Sequence, residues 1–350
     1  MVGHDIIVIG ASAGGVETLG KLAHDLSPNL PAAIFVVIHF PAYSKSFLPE
    51  ILNRSSCLGA AHAKDGEAIQ QGRIYVAPPD HHLLVKRGHI HLSRGPRENN
   101  HRPAIDTLFR SAALAYGPRV IGLVLTGSLD DGTAGLLALK QRGGIAVVQS
   151  PDEALFSDMP RSAIENVDVD YILPLSEIAA VLLSLAKAQV EEKADSQSTN
   201  MQIESDLAQM DVEVLQHNKR PGNPSAFACP DCGGVLWELE DGKFMRFRCR
   251  TGHSFTTKSL LASQHEALEG ALWSALRALE EKSQLVHRMA RRAQERGQNL
   301  ISARFEAQVQ DAKENIALIR QVLMNQEGEE EATSDPIDPA FDRIQESDSA

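Results

Sequence analysis

The aliphatic run Ile6-Ile7-Val8-Ile9 breaks off into Gly10-Ala11-Ser12-Ala13-Gly14-Gly15, and helical periodicity takes over from Val16 to Leu26. Unbroken aliphatic residues without polar alternation fit a strand covered on both faces, the pattern of a parallel sheet. Small residues around one serine, between such a strand and a helix, present its hydroxyl at the carboxyl edge of the sheet. The helix start aims unpaired N–H groups and a positive dipole end at the same place. A bound anion and the oxyanion of an acyl transfer both suit that environment. The segment lacks G-x-G-x-x-G spacing and a phosphate-loop lysine, which weakens a nucleotide reading. On this segment alone an ordinary Gly-rich turn stays open.

Two further runs narrow the choice. Ala33-Ile34-Phe35-Val36-Val37-Ile38 ends at His39, and Val120 to Thr126 leads into Gly127-Ser128-Leu129-Asp130-Asp131-Gly132. Serine, histidine and aspartate each follow a buried strand, so one sheet edge would gather a hydroxyl, an imidazole and a carboxylate. Those are a nucleophile, a general base and the group that orients the base. Strand-like and helix-like stretches alternate to about residue 188, with further strands at Gly144–Gln149 and Tyr171–Pro174 and helices at Phe47–Asn53, Ala104–Ala115, Ala134–Gln141 and Ser176–Ala188. The expected fold is α/β, a doubly wound, mainly parallel sheet in a Rossmann-like three-layer arrangement. Arg73–Val76, Leu83–Val85 and His89–Leu92 interrupt the alternation, and Lys86-Arg87-Gly88 reads as a hairpin turn. His81, His82, His89 and His91 raise a metal reading, but two exposed histidines on a hairpin, His89 and His91 sharing one strand face, are the expectation.

The order Ser12, His39, Asp131 differs from the Ser…Asp…His order of α/β-hydrolases, and GASAGG is not G-x-S-x-G. The segments IGASAGGVETL, VVIHFP, YVAPPDHHLLV, RPAIDTLFRSAA, LTGSLDDGTAGL and DMPRSAI, in this order, closely resemble the catalytic domain of CheB-type chemotaxis protein-glutamate methylesterases. The resemblance implies a cytoplasmic serine hydrolase that removes methyl esters from glutamate side chains of chemoreceptors, and it allows deamidation of receptor glutamines by the same acyl chemistry. It implies Ser12 as nucleophile, His39 as base and Asp131 as its orienting acid, with the N–H groups of Ala13 and Ser128 holding the oxyanion. No cofactor is implied for the catalysis. The implied partners are the methylated cytoplasmic helices of receptors. Where the family reads G-M-G, this chain reads Gly127-Ser128-Leu129, which bears on the shape of the ester pocket. The family commonly carries an amino-terminal receiver domain. With only three residues before His4, phosphorylation control is not expected. Two rivals are a non-catalytic signalling scaffold built on the esterase fold and a nucleotide-binding regulator using the Gly-rich turn. His101, in His101-Arg102-Pro103, is expected near the substrate through the same resemblance.

Charge is concentrated at one end. The net charge of −12 includes nine Asp/Glu against one Arg in residues 327–350, whereas residues 1–190 hold 16 Lys/Arg against 18 Asp/Glu. No basic stripe favours nucleic acid. No apolar run reaches the ~18 to 20 residues of a membrane span, and no signal-peptide layout opens the chain. Four cysteines, three of them clustered, do not make a disulfide framework, and a reducing cytoplasm is favoured.

The clustered cysteines belong to C-x2-C-x16-C-x3-H, formed by Cys229, Cys232, Cys249 and His253. Four such ligands close a tetrahedral structural zinc site with no position left for water. The strands between, near Val235–Leu239 and Phe244–Arg248, are too short to bury a core alone, so a metal would supply the missing stability. Nothing in this pattern connects the ribbon with hydrolysis, and Cys232→Ser is expected to spare activity. Cys57 is expected as a buried thiol. The expected organisation is a methylesterase-like domain at 1–190, a polar linker at 191–225 with a short helix around Ile203–Leu215, and a zinc ribbon at 226–256. A helical hairpin or coiled coil at 257–326 and a disordered acidic tail at 327–350 would follow. The apolar stripes of the two helices, broken at Gly297-Gln298-Asn299, suit self-association or contact with other chemotaxis signalling proteins.

Overall fold

The computed structural model describes residues 3–41, 43, 45–190, 199–210, 222–241 and 244–332. Two compact units divide the chain, residues 1–263 and 264–350. The first is built on strands β1 (Ile6–Ala11), β2 (Ala33–Ile38), β3 (Gly59–His62), β4 (Arg73–Val76), β7 (Val120–Val124), β8 (Ile145–Gln149) and β9 (Tyr171–Leu173). They form a seven-stranded sheet in the order β3-β4-β2-β1-β7-β8-β9, with every neighbouring pair parallel. The chain leaves β1 toward β2 on one side and later fills β7 on the other. The topological switch point therefore lies at the carboxyl end of β1, where ligands bind in open α/β sheets.

The two-residue period of β1 explains the layers. Ile7 and Ile9 point into one core with Leu19 and Leu22 of α1 (Gly15–Asp25) and Ile178 and Leu182 of α6 (Leu175–Lys187). Ile6 and Val8 point into the other, with Leu108 and Phe109 of α3 (Ile105–Tyr116) and Leu136 of α4 (Thr133–Gln141). Side chains of this size contribute about 1.5–3 kcal/mol each when fully buried. The helices α2 (Leu48–Ser55) and α5 (Asp158–Asn166) complete the two faces. Strands β5 (His82–Lys86) and β6 (His89–Ser93) form the expected hairpin. His89 is exposed and His91 partly buried beside Asp65, at 2.9 Å, but His82 is fully buried. Its Nε2 lies 2.9 Å from the Pro96 carbonyl and its Nδ1 accepts the Ala104 N–H. Cys57, expected buried, is exposed; in the bend after α2 its neighbour Leu58 takes the inward position.

Residues expected as linker supply α7 (Thr199–Ala208), whose Glu204, Ser205 and Leu207 are buried. The last residues of that stretch open the ribbon's first strand, and 191–198 and 211–221 lie outside the described residues. The ribbon is an antiparallel sheet of β10 (Asn223–Ala228), β11 (Val235–Asp241), β12 (Phe244–Cys249) and β13 (Ser254–Thr256). Its core is small: Leu236, Phe247, Phe255 and Leu260 with Cys229 and Cys249. It belongs to the same compact unit as the parallel sheet.

Helix α8 (Thr257–Glu295) runs into the second unit and is followed by α9 (Asn299–Ala332). Gly297, at φ 72, makes the break between them. Ser302 Oγ bonds the Ala290 carbonyl and Arg320 pairs with Glu280, so within that unit the helices run antiparallel as a hairpin. Residues 327–332 of the expected acidic tail are helical, and the remainder lies outside the described residues. Among the described residues no helix is long and apolar enough to cross a membrane.

Candidate active site

The strand ends bring Ser12, His39 and Asp131 together. The Ser12 N–H donates to the Thr126 carbonyl at 3.0 Å, which ties the end of β1 to the end of β7. Gly14, at φ 73, turns the chain into α1. Gly127 is required by close approach: a Cβ there would fall 2.1 Å from the Met159 sulfur and 2.8 Å from the Ser12 Cβ. His39 Nδ1 lies 3.0 Å from Ser12 Oγ, and His39 Nε2 lies 2.8 Å from Asp131 Oδ2. The imidazole and carboxylate are almost wholly buried, at 6% and 3% side-chain exposure, so water competes little for either bond.

Asp131 is surrounded by donors. Oδ2 accepts the Ile105 N–H at 2.7 Å, and Oδ1 accepts the N–H groups of Asp106 and Gly132 at 3.2 and 3.0 Å. The Asn99 carboxamide adds a further bond to Oδ1, at 2.9 Å. Burial alone would raise this carboxyl, but the bonds from His39 and the Ile105 N–H hold it well below the usual carboxylate range. An ionised Asp131 can only accept, so His39 Nε2 carries the proton and Nδ1 presents its lone pair to the Ser12 hydroxyl. The arrangement can lift a proton from Ser12 and hold the resulting imidazolium. His101 stacks on His39, ring centroids 3.5 Å apart and planes at 8°. Burial and the neighbouring His39 push His101 down to about 3; it stays neutral and fixes the plane of the His39 ring.

The Ala13 and Ser128 N–H groups flank Ser12 and the adjoining Gly127, and neither donates a hydrogen bond among the described residues. Leu129 takes φ 60, a left-handed conformation that costs a branched side chain about 1–2 kcal/mol.

Sequence reasoning missed a second set of residues behind Asp131. Asn99 and Asn100 take φ 51 and 69, and an Asn-Asn pair is a recognisable left-handed turn signal. Asn99 Nδ2 donates to Asp106 Oδ2 at 2.8 Å as well as to Asp131. Its Oδ1 accepts the Thr256 N–H and the Ser259 hydroxyl, both at 3.1 Å. Burial pushes Asp130 up to about 6, and this carboxyl accepts the Thr256 hydroxyl at 2.7 Å. Nearby, Glu98 accepts from Arg110 at 2.7 Å and Arg248 at 3.1 Å. Glu204 takes both Nη atoms of Arg246 at 2.8 and 3.0 Å and Arg248 Nη2 at 2.8 Å.

The ligand atoms of Cys229, Cys232, Cys249 and His253 lie within 4.8 Å of one another. His253 Nδ1 is 3.7 Å from Cys229 Sγ and 3.5 Å from Cys249 Sγ, and Cys232 and Cys249 are 3.7 Å apart at sulfur. A tetrahedral zinc with ordinary bond lengths sets such edges at about 3.5–3.8 Å. Donor set and spacing both fit a closed site.

Residues 7–182 match the family model of the CheB methylesterases. The chain belongs to the CheB methylesterase family. A relative from Leptospira interrogans is 39% identical over 191 residues, which are 54% of this chain and 99% of the relative. A protein-glutamate methylesterase/protein-glutamine glutaminase of Pseudomonas aeruginosa is 38% identical over 185 residues, 52% of this chain and 53% of its own length. This chain thus spans nearly all of the first relative and about half of the second. The CheB methylesterase catalytic domain of Thermotoga maritima shares the fold at a TM-score of 0.50 and 36% identity, over 52% of this chain and 98% of that domain. The CheB match ends before the ribbon and the helical hairpin.

Proposed function

We propose that this chain is a protein-glutamate methylesterase in which Ser12, His39 and Asp131 carry the reaction. The observation that supports it best is the buried hydrogen-bonded series from Ser12 Oγ through His39 to Asp131 at the switch point of a CheB sheet. Ser12 Oγ attacks the ester carbonyl of a methylated glutamate side chain while His39 Nδ1 takes its proton. The Ala13 and Ser128 N–H groups hold the oxyanion. Methanol leaves with the proton from His39, and the acyl group stays on Ser12. A water that gives its proton to His39 then attacks the acyl carbon, the Ser12–acyl bond breaks as His39 returns the proton to Ser12 Oγ, and the glutamate carboxylate is released. The same steps on a glutamine side chain release ammonia, in keeping with the double name of the Pseudomonas relative.

The substrate is the methylated cytoplasmic helix of a chemoreceptor, and the site of action is the cytoplasm. Cys229, Cys232, Cys249 and His253 hold a structural zinc; with four protein ligands it offers no open position to substrate. Nothing in the Ser12 series favours the non-catalytic scaffold. The test is methanol release from methylated receptor by the wild-type chain beside Ser12→Ala. Loss in the variant supports the reading, and retention defeats it.

A further inference from the structure

The ribbon reaches the catalytic acid through one carboxamide. Asn99 is 3% exposed, and all four of its side-chain hydrogen-bonding positions are taken. Its two N–H bonds go to Asp106 and Asp131, and its oxygen receives the Thr256 N–H and the Ser259 hydroxyl. The amide is therefore aimed from behind by residues that follow the metal-ligand pattern. Its backbone is set the same way: the Asn99 N–H donates to the Ser254 carbonyl at 2.8 Å, and the Ser254 N–H donates to the Arg97 carbonyl at 3.2 Å. Thr256 Oγ1 makes a second tie, to Asp130, the residue next to the catalytic acid. Arg248 of β12 bonds Glu98 and clamps the same segment.

We propose that Thr256, through its backbone N–H to Asn99 and its hydroxyl to Asp130, and Ser259, through its hydroxyl to Asn99, are positioning residues for ester hydrolysis that act on Asp131, so that the ribbon is part of the hydrolytic machinery. The proposal rests on the reading of Ser12, His39 and Asp131 given above. Asn99 turns the Asp131 carboxylate toward His39 Nε2 by holding its other oxygen. A carboxamide has two equivalent orientations unless its oxygen end is fixed, and Thr256 and Ser259 fix it. Neither residue touches Ser12 or His39, so their loss acts on the rate of the chemical step and leaves substrate binding alone. The chain of bonds spans residues 157 and 160 apart in sequence.

The test uses the full chain and methylated receptor, with rates counted per Ser12 titrated by a serine-reactive phosphonate. This corrects for any fraction that fails to fold. Ser259→Ala removes the hydroxyl that holds Asn99, and Thr256→Val removes the hydroxyl tie to Asp130 while keeping the backbone N–H on Asn99; Thr256→Ser and Ser259→Thr keep both hydroxyls. In Ser259→Ala the Thr256 N–H still reaches Asn99, which protects the fold. The expected result is a kcat lower by roughly ten- to a hundredfold at unchanged KM for the deletions, restored by the hydroxyl-keeping variants. The low-field proton resonance of His39 Nε2–H should move in the deletions alone. Wild-type kcat with an unmoved resonance in both deletions, beside an inactive Ser12→Ala, overturns the positioning role by itself. An active Ser12→Ala overturns the reading on which it rests.

Discussion

At the scale of single residues, the site works by holding each group in one protonation state. Ser12→Ala should lower methanol release by on the order of 10⁴-fold or more, because only the nucleophilic oxygen is lost. Asp131→Asn should cost about as much by favouring the wrong imidazole tautomer; a mild loss in steady-state assays would show that Asp131 does not orient His39. His101 supplies a pH prediction. Held at about 3 in the half-buried stack on His39 against about 6.5 when unfolded, it binds its proton more readily in the unfolded chain. Its contribution is therefore constant above pH 6.5, and stability falls as pH drops from 6.5 toward 3. In His101→Phe, which keeps an aromatic face on His39, the loss between pH 7 and pH 5 should shrink by about 1–2 kcal/mol relative to wild type. Urea midpoints at the two pH values measure it, and parallel curves would reject the assignment.

At the scale of elements, legibility followed the apolar pattern. The runs that became β1, β2 and β7 hold no polar side chain, so their carboxyl ends, and with them Ser12, His39 and Asp131, could be placed without a structure. Strand β3 reads Gly-Ala-Ala-His and has no such signal; pairing with β4, not its own side chains, makes it a strand. The Cys and His spacing marked the four-residue cluster because short loops converge the four ligand atoms. What stayed hidden was the use of the ribbon. Asn99, Thr256 and Ser259 are ordinary turn and cap residues in sequence, and only docking across more than 150 positions gives them a common purpose. The proposed positioning role predicts the opposite of the expectation that ribbon damage spares activity. The purified chain should contain about one zinc. Its extraction, followed with a metal-binding dye, should loosen β10–β13 and lower kcat together. Zinc-free protein with full kcat would separate the ribbon from hydrolysis.

At the scale of the whole molecule, the two compact units predict where the chain tolerates a cut. Among the described residues, every group that bonds to Ser12, His39, Asp131 or Asn99 lies at or before Ser259, inside the unit that ends at Ser263. A chain ending shortly after Ser263 should hydrolyse methylated receptor at the wild-type kcat. A chain ending near Ala188 has the whole family-matched segment but loses Glu204, Arg246 and Arg248. Arg110 and Glu98 are 3% and 1% exposed and would keep each other while losing the rest of their charged partners. Breaking a buried ionic network of this kind costs about 3–5 kcal/mol. The same cut removes Thr256 from Asp130 and Asn99. The shorter chain should therefore unfold at lower urea and show a kcat at least about tenfold down, even on a small ester that needs no receptor docking. Methanol release and urea midpoints on the two truncations decide the matter. Equal activity in both would mean that the sheet alone sets Asp131 and that the ribbon rests on it without consequence.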